Sequence, residues 1–136
     1  MSRIPVLYLV LLVGCGRDGS GIAAVRGDFQ STVTLRLSET ARVPGSPLTL
    51  TFRRVLEDSR CPVDVVCVTA GDAAVELQVR SAARASELVQ LHLHREPREA
   101  SRHGYRLTLE GLQPALRTDQ PLPGGQYRVK LSVVAP

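Results

Sequence analysis

The chain has 136 residues, with 17 Lys and Arg against 13 Asp and Glu, and a formal net charge of +4. This length suits one domain with a single hydrophobic core. A nucleic-acid-binding protein concentrates basic residues in a stripe with aromatic residues between them; here the arginines are scattered and there are only three Tyr and two Phe, so we expect no nucleic-acid partner.

The N-terminal fifteen residues predict a bacterial lipoprotein signal. Met1-Ser2-Arg3 is short and positively charged, and Ile4 to Val13 is an almost unbroken apolar run. A helix of about ten residues would cover only about 15 Å of a roughly 30 Å hydrocarbon core, so this run is too short to span a membrane. Small residues flank Cys15, as in a lipobox whose cysteine is acylated after residues 1–14 are removed.

Acylation of Cys15 predicts an extracytoplasmic protein that is anchored to a membrane. Bacterial lipoproteins generally carry three acyl chains, and two or more chains hold firmly. Gly16, rather than Asp, follows the cysteine; by analogy with enterobacterial sorting this favours the outer membrane, facing the periplasm or the cell surface. The alternatives are an ordinary cleaved signal with Cys15 unmodified, and a buried N-terminal strand of a cytosolic domain.

Residues 15–30 predict a tether between the lipid and a single domain at residues 31–136. The tether is rich in Gly, Ser and charged residues and has little periodicity. If it is flexible, about fifteen such residues span roughly 20 Å root-mean-square. No internal repeat or second domain is evident after it.

From Ser31 onward, apolar and polar residues alternate, which is the pattern of half-buried strands. Six segments show it clearly: Val33 to Leu37, Leu48 to Arg53, Val75 to Arg80, Val89 to His94, Leu107 to Glu110 and Arg128 to Val133. A seventh strand is expected near Glu39 to Val43 or Pro114 to Arg117, and the Ala-rich stretch Ser81 to Glu87 suggests a helical turn.

These strands predict an all-β fold, an antiparallel β-sandwich of about seven strands with an immunoglobulin-like topology. A small open β-barrel is the alternative, because periodicity does not separate the two. The residues expected inside are Leu35, Leu50, Phe52, Val75, Leu77, Leu91, Leu107, Val129 and Leu131.

Cys61 and Cys67 remain once Cys15 is assigned to lipid. Two cysteines in an oxidising compartment favour a disulfide, whose Cα atoms would lie within about 7 Å of each other. Free thiols, a metal site or a redox pair are the alternatives. The spacing is wider than the two residues of a redox pair, and no second cysteine pair completes a zinc tetrahedron.

The segment Asp58-Ser59-Arg60-Cys61-Pro62, followed by Cys67 and Ala70-Gly71, resembles a family of small bacterial lipoproteins and secreted proteins. Their shared pattern is Asp-Ser-Arg-Cys-Pro, four residues, Cys, two residues, Ala-Gly. The resemblance covers Leu48 to Val79 well and the C-terminal strand loosely, and it implies fold and location. The chain departs from the pattern at Thr69, where many members have Trp.

Asp58, Ser59 and Arg60 form the most polar segment between two predicted strands. Asp58 and Arg60 are expected to pair, or Asp58 and Ser59 to hydrogen-bond the loop backbone. A ligand-binding loop is a second hypothesis, since loops on rigid scaffolds often carry function. An enzyme built on these residues is a third, although Ser59 has no histidine near it in sequence to act as a base.

His92 and His94 lie two residues apart on a predicted strand and therefore share a face. This spacing occurs in metal sites, and His103 is a possible third ligand. Nearby arginines would repel a cation, and the apolar residues on the opposite face place the histidines in water. We therefore expect no metal or other cofactor, and keep a metal site on the three histidines as the alternative.

Arg95, Arg98, Arg102 and Arg106 occur in one segment together with Glu96 and Glu99. This mixture predicts a solvated loop with weak ion pairs, with a specific anion site as the alternative. No nucleophile, acid–base or phosphate-loop motif is present. The sequence therefore predicts a non-catalytic binding or structural module of the cell envelope, whose partner is an envelope protein or a glycan.

Overall fold

The computed structural model describes residues 29–135. These residues form eight strands and no helix, and hence no helix able to cross a membrane. The strands are β1 (Gln30–Arg36), β2 (Thr40–Arg42), β3 (Leu48–Asp58), β4 (Ala73–Ser81), β5 (Arg84–His92), β6 (Glu99–Arg102), β7 (Tyr105–Gln113) and β8 (Arg128–Val134). The predicted signal, Cys15 and the tether up to residue 28 lie outside the described residues.

Two antiparallel sheets of four strands stack on each other, which confirms the predicted β-sandwich. Sheet A has the order β1-β8-β7-β6, and sheet B has the order β2-β3-β4-β5. Chain neighbours lie side by side within each sheet, and β1 joins the far edge of β8. This strand order is a meander, whereas an immunoglobulin domain places its strands by Greek-key connections.

All six clearly predicted strands are present, and β2 is the predicted seventh. The eighth strand, β6, falls in the arginine-rich segment that the pattern placed in a loop. It lies at an edge of sheet A and has a single apolar residue, Ala100, so it lacks the alternation that marks a half-buried strand. Ser81 to Glu87 forms a tight turn and the start of β5 instead of a helical turn.

The core lies between the two sheets. Every residue predicted to be inside is fully buried, with Phe52 the largest side chain among them. Strand β4 is buried along most of both faces, because Ala73, Ala74 and Glu76 are covered as well as Val75 and Leu77. Its outer face is therefore covered by side chains of neighbouring strands and loops, and one end of that face holds the polar cluster described below.

The two ends of the sandwich differ in their loops. Three long loops, residues 59–72, 93–98 and 114–127, lie together at what we call the loop end, because β3, β5 and β7 all finish there. The short turns at 43–47, 82–83 and 103–104 lie at the other end, which we call the terminal end. Phe29 and Ala135 meet there, where the amide of Ala135 donates to the carbonyl of Phe29 at 2.9 Å.

Candidate functional site

The loop of residues 59–72 begins as a continuation of the β3–β4 pair. The amide of Ser59 donates to the carbonyl of Asp72 at 2.7 Å, and the amide of Cys61 donates to Ala70 at 3.0 Å. Gly71 has a φ of +67°, and a Cβ at this position would lie 1.7 Å from the carbonyl oxygen of Ser59. Only glycine fits there, since any side chain would collide with the facing backbone.

A disulfide joins Cys61 and Cys67, as predicted, with their Cα atoms 5.9 Å apart. It closes the tip of the loop into a ring of seven residues. The ring rests on the loop of residues 114–127: the amide of Val63 donates to the carbonyl of Leu116 at 2.9 Å, and the carboxylate of Asp64 accepts from the amide of Thr118 at 3.0 Å. The ring is thus fixed from within and from one side.

Asp58 and Arg60 form a two-pronged ion pair, as one hypothesis expected. Nε and Nη2 of Arg60 lie 2.7 and 2.8 Å from the two carboxylate oxygens of Asp58. Arg60 also donates to the carbonyls of Leu112 and, at 3.0 Å, Pro114, while the hydroxyl of Tyr127 donates to Asp58 at 2.9 Å. Both side chains are nearly buried, so this cluster ties the end of β3 in sheet B to the end of β7 and the start of β8 in sheet A.

The surroundings of this cluster shift the pKa values of Asp58 and Tyr127. Burial alone would raise the pKa of Asp58, but the hydrogen bonds from Arg60 and Tyr127 outweigh it and hold the pKa below its ordinary value. Burial and the adjacent Asp58 carboxylate raise the pKa of Tyr127 to about 12. Asp58 is therefore ionised and Tyr127 protonated at neutral pH, which suits a structural contact.

Asp72 is a fully buried carboxylate around which the neighbouring loop is ordered. Its Oδ2 lies 2.6 Å from Nδ1 of His92, and its Oδ1 accepts from the amide of His94 at 2.9 Å. Burial opposes its charge, but the hydrogen bonds from His92 and from the backbone of His94 and Ala73 lower its pKa below the ordinary value. An ionised carboxylate only accepts, so Nδ1 of His92 carries the proton.

The hypothesis that His92, His94 and His103 form one metal site is not supported, because His103 lies elsewhere. Nε2 of His103 is 3.9 Å from Glu87 near the start of β5, whereas His92 ends that strand. Glu87 and His92 are five residues apart on β5, which corresponds to about 17 Å along the strand. His94 bonds through Nδ1 to the carbonyl of Gly71 at 3.0 Å. Across residues 29–135, no group of three or more His, Cys, Asp or Glu side chains is placed to hold a metal ion.

His92 is also less exposed than its place on a water-facing strand surface predicts. Its side chain is 21% exposed, because it lies against Asp72 at the margin of the sheet. No local pattern predicts this pairing, because Asp72 follows Gly71 in a segment with the composition of an ordinary turn. Local pattern likewise does not predict the contact of Tyr127, because its partner Asp58 lies 69 positions away.

Ser59 is engaged with the protein's own backbone and is not aimed at a histidine. Its hydroxyl oxygen accepts from the amide of Asp72 at 3.1 Å, and its hydroxyl lies 3.0 Å from Oε1 of Glu57 and 3.2 Å from the carbonyl of Asp72. The side chains of Asp58, Ser59 and Arg60 are thus all used to hold the loop in place. What this loop offers to solvent is its tip.

The tip of the disulfide ring and its exit are apolar and exposed. Val66 and Val68 are fully exposed, while Val63 and Val65 are 64% and 44% exposed. Large apolar side chains of soluble proteins are usually covered when they cluster, and contiguous exposed ones mark interaction sites. We call these four residues the valine tip; three apolar residues within four positions, Val63, Val65 and Val66, are its signal in the sequence.

The arginine-rich segment of residues 95–106 forms several ion pairs, as predicted. Arg102 lies 2.9 Å from Glu87 and Arg106 lies 3.7 Å from Glu99. Arg95 lies 3.8 Å from Glu57 and 4.0 Å from Asp72, so its guanidinium lies beside the contact between Asp72 and His92. These pairs are mostly exposed and contribute little to stability individually.

Comparison with protein-family models, with curated proteins and with solved structures gives no match for this chain.

Proposed function

We propose that the chain is a lipid-anchored, extracytoplasmic, non-catalytic module of the bacterial envelope that binds a protein partner through its valine tip. The observation that carries this proposal is the exposure of four valines on a loop that the protein holds rigidly. The N-terminal lipobox supports the anchor, and the disulfide is consistent with an oxidising compartment.

Rigidity supports binding because a loop that is already ordered loses little conformational entropy when a partner docks. Three independent sets of contacts order this loop. The disulfide closes its tip, Asp64 and Val63 fasten it to the loop of residues 114–127, and Arg60 fastens its base to sheet A.

The valine tip lies on the side of the domain opposite the proposed tether, so a partner that binds it faces away from the anchoring membrane. The described chain enters at Phe29 on the terminal end, and β1 runs from there towards the loop end. Seven residues of strand extend about 20 Å. The valine tip therefore lies at the far side of the domain from the point where a tether to Cys15 joins it.

The chemistry of the valine tip favours a protein over a glycan. Its side chains are aliphatic and offer neither hydrogen bonds nor charge. Within residues 29–135 the aromatic rings are covered, since Phe52 and Tyr127 are buried and Phe29 and Tyr105 are partly buried. No fully exposed ring is therefore available in this part of the chain to stack on a sugar, whereas burial of valines against an apolar protein surface is favourable.

The anchor is tested by mass spectrometry of the N-terminal peptide from native cells. We expect a peptide that begins at Cys15 and carries acyl chains, and membrane fractionation that is lost in Cys15→Ser. A peptide that begins at Met1, or an unmodified Cys15 thiol, contradicts the anchor.

The valine tip is tested by a photo-crosslinking amino acid placed at Val66 in the full-length protein in cells. Leu88 provides a matched control, because it is an exposed apolar residue on the edge strand β5. We expect one discrete protein adduct from position 66, none from position 88, and loss of the adduct in Val68→Asp. Identical adducts from both positions, or none from position 66, contradict the proposed docking site.

A further inference from the structure

The outer face of sheet A carries an open groove of about 760 Å³ next to the loop end. Its floor is formed by β1, β8 and the end of β7, and the loop of residues 114–127 forms one wall. Three cationic residues line it: Arg36, Arg128 and Lys130. None of the lining residues is acidic.

The sheet register places these cations beside each other. Arg36 on β1 is directly opposite Arg128 on β8, and Lys130 is one row further along the same face, opposite Thr34. Gln113 on β7 is on the other side of Arg128. Like charges that face each other across antiparallel strands are destabilising, so this arrangement costs the free domain stability.

Carboxylates do not relieve this repulsion in the described part of the chain. Among residues 29–135 no Asp or Glu oxygen lies within 4 Å of the Arg36 or Arg128 guanidinium; the carboxylate of Glu39 binds the backbone amide of Arg36 at 2.7 Å. Lys130 has one partner, Glu110, at 3.5 Å. This pattern contrasts with the segment of residues 95–106, where Arg95, Arg102 and Arg106 all face carboxylates.

We propose that this groove binds a phosphate group through Arg36 and Arg128, with Lys130 as a third cation. Two guanidinium groups present planar sets of donors that match phosphate oxygens. A phosphate monoester carries up to two negative charges, which two unpaired arginines balance, whereas a single carboxylate would leave one of them unpaired. The side chains of Gln113 and Gln126 offer further hydrogen bonds at the rim. This site is independent of the valine tip and of the proposed protein partner.

The proposal is tested by calorimetric titration of the full-length protein in non-ionic detergent, at constant ionic strength, with inorganic phosphate and pyrophosphate as probes. We expect saturable binding of both probes, weakened about tenfold or more by Arg36→Gln and by Arg128→Gln, as expected for loss of a charge-assisted contact. Arg80→Gln is the matched control, because Arg80 is an exposed arginine opposite Thr49 on sheet B; its affinity should equal that of the wild type.

A second measurement separates a binding role from a structural one. Without phosphate, Arg36→Gln and Arg128→Gln should keep or raise the thermal midpoint, because each removes the repulsion between the two arginines. With phosphate, the wild type should gain more than either variant. No saturable binding of either probe, or equal affinity in all four proteins, would overturn the proposal.

A short-chain phosphatidate below its micelle concentration identifies the source of the phosphate. If it binds at least tenfold more tightly than inorganic phosphate, and the gain disappears in Arg128→Gln, the ligand is a lipid headgroup. If the two bind equally, the ligand is a soluble phosphate compound. Both results support a phosphate site, whereas tight binding of the phosphatidate that survives both arginine substitutions contradicts it.

Discussion

Arg60 binds both carboxylate oxygens of Asp58, which lies two residues before it in the chain. Its Nε donates to Oδ1 at 2.7 Å and its Nη2 donates to Oδ2 at 2.8 Å. The same guanidinium reaches the carbonyl groups at the end of β7. The pair is therefore a bridge between the two sheets as well as a local contact. It fixes the base of the loop that carries the valine tip.

Arg60→Ala should lower the free energy of unfolding by about 3–5 kcal/mol, because it leaves Asp58 as a buried charge without its cation. Arg117→Ala is a well-matched control: Arg117 holds Asp119 with the same spacing and the same two-pronged geometry, at 3.0 and 3.3 Å, but in solvent. Its loss should cost under about 1 kcal/mol. Urea denaturation measures both, and equal costs would contradict the bridge.

Acid should destabilise the protein through Asp58. Since folding lowers the pKa of Asp58 below its ordinary value of 3.8, the ionised carboxylate stabilises the fold at pH values above 3.8. This contribution is lost as pH falls from 3.8 through the lower pKa of the folded state. Urea denaturation between pH 2 and 6 should show a shallower acid loss in Asp58→Asn than in the wild type; parallel curves would rule out this role.

Tyr127 should ionise at a higher pH than an ordinary tyrosine. Its pKa of about 12 lies above the ordinary value of 10.0, so the protonated hydroxyl stabilises the fold fully below pH 10.0 and loses this effect as pH rises towards 12. An ultraviolet absorbance titration should show a late step that is absent in Tyr127→Phe. If the late step persists in that variant, the assignment to Tyr127 is wrong.

Gly71→Ala should destabilise the fold by about 2–5 kcal/mol, because strain in the left-handed region adds to a collision with the backbone of Ser59. Gly104→Ala measures the contribution of left-handed strain alone. Gly104 has a φ of +82° but nothing within 4 Å of its missing Cβ, so only about 1–2 kcal/mol is expected. Chemical denaturation measures the loss of unfolding free energy in both variants, and the difference is the energy of the collision. Similar losses in the two variants would argue against a collision at Gly71.

Loss of the disulfide should lower the free energy of unfolding by about 2 kcal/mol, because the unfolded chain regains the entropy that closing a seven-residue loop removes. The double variant Cys61→Ser with Cys67→Ser should therefore still fold, since the core lies between the sheets and not at the loop. Circular dichroism should retain the β spectrum while the thermal midpoint falls. A completely unfolded double variant would show that the loop organises the fold rather than only its own tip.

The strands and the core could be predicted from sequence because alternation directly records which side chains face the opposite sheet. This alternation predicts that Leu35, Phe52 and Leu131 face the core, and all three are fully buried. β6 could not be found by that signal, since Glu99 and Ser101 face solvent and only Ala100 on its half-buried side is apolar. Strand order also escapes the signal, because a meander and a Greek key bury the same alternating residues.

The candidate site was predictable only where its partners are near in sequence. Asp58 and Arg60 are two residues apart, and the two cysteines are six apart, so local reasoning paired them. Asp72 and His92 are twenty residues apart and Tyr127 is far from Asp58. Those contacts depend on which strands end together, and only the fold supplies that information.

The hydrogen bond between Ala135 and Phe29 has a practical consequence for joining this domain to other proteins. Because the described chain enters and leaves at one place, the domain can be inserted into a surface loop of a host protein with short linkers on both sides. All three long loops would then project away from the host. New sequences grafted at residues 63–66 would be displayed on a braced, disulfide-closed ring, held clear of whatever carries the domain.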